Sequence, residues 1–305
     1  MPASTAFIAT QCAVTQFVIG ALKELALIEP TRHEQTPSTR HKCRDSNSKM
    51  GTPQETDAFR ASFERTHKYA MESPPLSSTV VFAYRLNAVV LVGLIWYACE
   101  VVEGVSKGPP ASWTRWLSIA AVGGAVAVIA LTYAVSYYYG HLPGFTDDDY
   151  RLSAAWDRPP ATELAMIGLA LSLDLLPLLE LARPAPARLA RVIVACFTVH
   201  GIVTVAATPM SKMRGEHALS TLAFLFMLAA YQGLVVATVP KAIASKALRD
   251  TFLALTYSSF GAIFLVFYAF SFWVRFGELY WLSVAELLAL VVVFAGIVVG
   301  GVGAA

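Results

Sequence analysis

The stretch LYWLSVAELLALVVVFAGIVVGG, residues 279–301, contains 23 residues and one charged side chain, Glu286. A bilayer core of about 30 Å is crossed by about 20 helical residues, so this stretch is long enough and apolar enough to span it. A strand is excluded on physical grounds. In lipid every backbone amide must find its partner within the element or in a closed barrel. The stretch lacks the alternating apolar and polar pattern of a barrel strand.

Working upstream, the same character returns at 251–274, 217–239, 189–208, 162–182 and 116–138. Segment 79–99 is weaker, because Arg85 interrupts it and Glu100 closes it, leaving 14 uncharged residues from Leu86 to Cys99. That length also suits a buried or re-entrant helix. With Arg85 reaching back to the interface the segment spans, giving a seventh helix. The expected fold is all-α, a polytopic transmembrane helix bundle over residues 79–305. Prolines punctuate it where helices should stop, at Pro110, Pro143, Pro159-Pro160, Pro184, Pro186, Pro209 and Pro240. Pro177 alone lies inside a run and predicts a kink or a last turn.

The whole-chain figures agree. Of 305 residues, 56% are hydrophobic and only 14% charged, with a formal net charge of +2. Too little charge remains to solvate a globular surface, and the near-zero balance speaks against a nucleic-acid partner. Membrane lipids are the partners such a composition implies. Residues 1–78 differ from the rest: 30–77 are polar, carry eight Arg or Lys side chains including Arg32, Arg44 and Lys68, and show no apolar periodicity. This predicts a disordered tail, with residues 5–28 read as an amphipathic surface helix or an unstructured lead rather than a signal peptide. Cys12, Cys43, Cys99 and Cys196 stand singly, so neither a disulfide framework nor a metal centre is predicted, and no cofactor is implied.

Basic residues in short loops set orientation. Lys107, Arg115, Arg183, Arg188, Arg191, Lys241, Lys246 and Arg249 fall on one side, eight against the five of Arg151, Arg158, Lys212, Arg214 and Arg275. This predicts cytosolic loops at 103–115, 183–191 and 241–250 and a cytosolic C-terminus. The opposite first loop is acidic, with Asp147, Asp148 and Asp149 flanked by Tyr137–Tyr139, Tyr150 and Trp156. It reads as a solvated loop at an aromatic interface belt.

Ionisable groups inside spanning helices are functional candidates by default. Glu163 and Asp174 are eleven residues apart, three helical turns. His200 continues a stripe of Cys196, Thr204 and Thr208, and Glu286 follows Ser283 by one turn. Asp174, His200 and Glu286 suit a proton relay or a lipid-headgroup site; interhelical hydrogen bonding is the plainer alternative. His217 opens a helix just after Lys212 and Arg214, a position that serves an anion or simply an interfacial N-terminus. No GxSxG, HExxH, Walker or GxGxxG motif is present, which weighs against an enzyme.

Four features resemble the Frag/DRAM/Sfk family, the damage-regulated autophagy modulators and their six-helix relatives, over about Trp116 to Gly301. One helix ends in Gly140-His141 before a proline and aromatic residues. A tract with Ser153 leads to Pro159-Pro160. His217 opens a helix that continues to Ala223-Phe224. The last helix carries Ser283-Val284-Ala285-Glu286. Ala154 and Ala155 stand where the family tends to have an Asp and a small residue. The resemblance implies an endomembrane or plasma-membrane protein, of the lysosome, vacuole or Golgi in the first case. Its implied role is regulation of autophagy or trafficking, or lipid organisation, without catalysis. It also implies two alternatives to that role: an accessory factor or an enzyme in GPI-anchor lipid remodelling. It directs attention to His141, Ser153, Pro159, Pro160, His217 and Glu286. From the residues alone, a proton-coupled transporter using Asp174, His200 and Glu286 is a further alternative, and a seven-helix receptor is suggested by helix count.

Overall fold

The computed structural model describes residues 78–142, 152–209, 214–276 and 280–304, all within the compact unit Phe63–Ala305. The tail read as disordered and the aspartates Asp147–Asp149 lie outside these residues. Every regular element among the described residues is helical. Helix α1 is Ser78–Val102, and α2, Thr114–Tyr138, is entered through a 3-10 turn at Ala111–Trp113. The short α3 is Leu152–Ala155, and α4 (Ala161–Leu173) and α5 (Leu175–Ala182) follow. Then come α6 (Arg188–Ala207), α7 (Arg214–Thr238), α8 (Lys246–Phe276) and α9 (Tyr280–Gly303).

Seven of these helical stretches are long and apolar enough to cross a membrane, α4 and α5 counting as one, so the fold is that of an integral, multi-pass membrane protein. The weakest expected span is among them. Helix α1 runs 25 residues, from Ser78 past Glu100 to Val102. At 1.5 Å per residue it is roughly 37 Å long, enough to cross with Arg85 exposed on its outer side. Phe82, Val89, Val92 and Trp96 on α1 are 66–71% exposed, a surface that suits lipid and not water.

Helices α2, α4, α6, α7, α8 and α9 touch in that order, and α9 returns to α2. They close a ring. Helix α1 stays outside it, in the groove between α6 and α4. Burial follows this plan: 17% of the α1 window is buried, against 56% for α4–α5 and for α6.

Small residues let the ring close. The buried positions of α2 are Thr114, Ser118, Ala121, Ala125, Thr132 and Ser136, none larger than threonine. Lipid supplies no hydrophobic drive between helices, so close backbone approach and dispersion hold them together. At Gly168 a Cβ would stand 2.5 Å from Val128 Cγ2. At Gly301 it would strike Ser118. Only glycine admits α2 so near to α4 and α9.

Pro177 explains the break in the third span. It has no N–H to give the carbonyl of Leu173, four residues earlier. The helix accordingly stops at Leu173 and restarts at Leu175, with Asp174 between. The expected kink thus falls one turn before the proline.

Candidate functional site

The ring is not filled. It surrounds a partly open cavity with about 100 Å³ of room for water-sized groups. Helix α7 lines it with His217, Thr221, Phe224, Leu225, Leu228 and Tyr231, and α9 with Glu286, Ala289, Leu290, Val293, Phe294 and Ile297. Both sets follow three- and four-residue steps, one continuous face of each helix. Leu169, Leu173 and Leu176 from α4–α5 and Thr198, Val199, Ile202 and Val205 from α6 complete the walls. Most of the lining is aliphatic or aromatic, as in ligand pockets generally.

One end is polar. Ser153, His217 and Glu286 come from three separate elements and all lie on this cavity. The alternation of the helices accounts for it, because α3 and the first turns of α7 and α9 share one end of the bundle. The carboxylate Oε2 of Glu286 accepts the Leu152 backbone N–H at 3.0 Å. His217 Nδ1 stands 2.6 Å from the Thr208 carbonyl. A carbonyl only accepts, so the ring proton there is on Nδ1.

Helix α3 closes this end and is pinned to α2. Trp156 Nε1 donates to Thr132 Oγ1 at 3.1 Å, and Ser136 Oγ donates to the Ala155 carbonyl at 2.5 Å. Thr162 Oγ1 donates to the Trp156 carbonyl at 2.6 Å. Trp156 is buried and its indole faces the cavity. Pro159 and Pro160 form the turn into α4, joined by a cis peptide.

His141 lies just past the end of α2 and does not line the cavity. Its backbone N–H donates to the Ser136 carbonyl at 2.8 Å, and its ring stacks on Tyr139 with centroids 5.8 Å apart. Partial burial pushes its pKa below the ordinary imidazole range, and the nearby Arg158 cation adds to this against a smaller opposing pull from Asp157.

Asp174 and His200 belong to a different place. Both meet α1. Tyr84 Oη lies 3.0 Å from His200 Nε2 and 3.3 Å from Thr204 Oγ1. Asn87 Nδ2 donates to Asp174 Oδ1 at 3.0 Å. Cys196 Sγ reaches the Leu91 carbonyl at 3.8 Å. Tyr84, Asn87 and Leu91 recur at three- and four-residue steps, so they form one face of α1. This seam attaches the outer helix to the ring. It brings Asp174 and His200 to α1, while Glu286 lines the cavity.

A second polar group was not legible in the sequence. Glu180, Arg183 and Arg191 are 0% exposed, and Tyr231 is 1% exposed. Glu180 pairs with Arg183 through Oε1 and with Arg191 Nε through Oε2 at 2.8 Å. Tyr231 Oη donates to Glu180 Oε1 at 2.7 Å. Arg191 Nη2 donates to the Glu180 carbonyl at 3.0 Å, and Arg183 Nη2 to the Ile297 carbonyl at 3.3 Å. Four helices are tied together at the end of the bundle opposite α3. In sequence the two arginines read as loop charges that set orientation. The Glu180–Arg183 spacing of three, at the end of an apolar helix, was the available signal.

Among the described residues no group of three or more His, Cys, Asp or Glu side chains is placed to hold a metal ion. Set against protein-family models, curated proteins and solved structures, the chain finds no match.

Proposed function

We propose that this protein takes lipid into its helix ring and, like the autophagy modulators it resembles, regulates membrane trafficking or autophagy without catalysis. The observation that carries this reading is the apolar cavity inside the ring with Ser153, His217 and Glu286 at one end. An apolar chamber with a few polar groups at one end suits an amphiphile. The resemblance implies an endomembrane or the plasma membrane, and with Arg183 and Arg191 buried the basic-loop count falls from eight to six against five, still on the side of a cytosolic C-terminus. The test is mass spectrometry of lipids that survive purification of the full chain from its membrane. The wild type is expected to retain lipid and Val293→Trp, which fills the cavity, to lose it. Equal lipid in both would remove the basis of the proposal.

One observation favours a second reading, a part in GPI-anchor lipid remodelling. A hydroxyl, an imidazole and a carboxylate share one cavity, the side-chain types used in acyl transfer. The lipid and GPI-anchor profiles of a deletion strain decide this. An unchanged profile would end that reading and leave the first intact.

A further inference from the structure

The seam between α1 and the ring holds an unsatisfied atom. Asn87 is 3% exposed, and its Oδ1 is buried without a hydrogen-bond partner. A buried acceptor left without a donor is costly, so each such atom calls for an explanation. The hydroxyl and thiol nearby are directed elsewhere. Thr204 Oγ1 donates to the His200 carbonyl at 2.7 Å, and Cys196 Sγ donates to the Leu91 carbonyl at 3.8 Å. The group that meets Asn87 is Asp174, whose Oδ1 accepts from Asn87 Nδ2 at 3.0 Å.

An ionised carboxyl only accepts, whereas a protonated one also donates through its O–H. The oxygen and nitrogen of an amide sit side by side on one carbon, as do the two oxygens of a carboxyl. The last torsion of an Asp side chain is soft, so its second oxygen can turn toward Asn87 Oδ1 while the first keeps its bond. With a proton bound, Asp174 and Asn87 then make a reciprocal pair of hydrogen bonds, and both are neutral. Without it two acceptors face each other and a charge stands inside a spanning segment, where charge is expensive.

Few ionisable groups surround this pair. Helix α1 brings Tyr84, and Arg85 is exposed on its outer side. Helix α6 brings Cys196 and His200. Helix α2 carries no charged or imidazole side chain after Arg115 in its first turn. On α4 Glu163 is three turns away, and on α5 Glu180 is engaged by Arg183 and Arg191. His200 Nδ1 is also buried without a partner. A proton added to His200 would leave a charged ring with that N–H unsatisfied, so titration of His200 would loosen the seam on acidification, opposite to Asp174.

We infer that Asp174 and Asn87 form a proton-binding site that fastens α1 to the ring, tight with the proton bound and loosened when it leaves. This is independent of what occupies the cavity. Cys196 is a native reporter, 2% exposed and covered by α1 at Leu91, while Cys99 is partly exposed. The test follows alkylation of the full chain in nanodiscs by N-ethylmaleimide. The Cys196 rate is divided by the Cys99 rate in the same molecules, which removes the shared dependence on thiolate. Between about pH 5 and about pH 8 the ratio is expected to rise roughly fivefold or more, the worth of one hydrogen bond. Asp174→Asn supplies a fixed N–H donor to Asn87 Oδ1 and is expected to stay low and flat. Asp174→Ser cannot ionise and is expected to be flat as well, which keeps the test valid if one variant fails to fold. A wild-type ratio that is flat or that rises on acidification overturns the inference, as does a pH response that survives in either variant.

Discussion

Glu180 holds the most consequential side-chain contacts in the bundle. It sits between Arg183 and Arg191 with all three fully buried, so two guanidinium groups share one carboxylate. Buried ion pairs add little net stability when intact, but removing one partner leaves a buried charge alone. Glu180→Ala is therefore expected to destabilise the protein by about 3–5 kcal/mol, read as loss of the monodisperse fraction and a lower Tm in detergent. Tyr231→Phe removes a single hydrogen bond to a charged acceptor and should cost about 1.5–3 kcal/mol. His141 gives a pH-dependent prediction. Its folded pKa lies below the ordinary imidazole value, so the folded state favours the neutral ring. That contribution is fully present above the unfolded pKa and is lost as pH falls through the folded one. Tm should drop on acidification below about pH 6.5, the unperturbed histidine value, and His141→Gln should flatten part of that drop.

At the scale of the element, each helix is held by what its neighbour lacks. Gly168 has Val128 where a side chain would stand, whereas Gly93 on α1 has nothing within 4 Å. Gly168→Val should therefore force α2 and α4 apart and destabilise by about 1–3 kcal/mol, while Gly93→Ala should be neutral or stabilising. Thermal unfolding of the two variants side by side checks this contrast. Asp174 was legible as a group too costly to bury unpartnered, and Pro177 as a helix breaker. Their connection was not legible. Pro177 frees the Leu173 carbonyl and ends the helix beside Asp174, whose partner Asn87 comes from a helix 87 positions away in sequence. No spacing rule links those two residues, because α1 reaches α4 only through packing of the whole bundle.

For the whole molecule, seven spans among the described residues put Ser78 and Gly303 on opposite sides of the membrane. Compartment-specific reporters placed immediately before Ser78 and after the last helix should therefore give opposite signals. Matching signals would mean that α1 does not cross. The structure makes this a sharp question, since α1 is the least buried span and lies outside the closed ring. Its attachment rests on the Tyr84, Asn87 and Leu91 seam, and the ring beneath it closes without it.

By itself the sequence determined the helical class, the seven apolar segments and the places where they stop. Those properties depend on local matters: hydropathy over about 20 residues, proline without its N–H, and backbone amides that lipid cannot satisfy. It also marked Ser153, His217 and Glu286 singly. Only the tertiary structure decided which polar groups share a space. It set Ser153, His217 and Glu286 on one cavity, gave Asp174 and His200 to the α1 seam, and drew Arg183 and Arg191 from an expected loop into a buried group around Glu180. The reason is physical. A helix displays its side chains on every side, and which side faces lipid, cavity or neighbour is set by close approach between helices at residues such as Gly168 and Gly301.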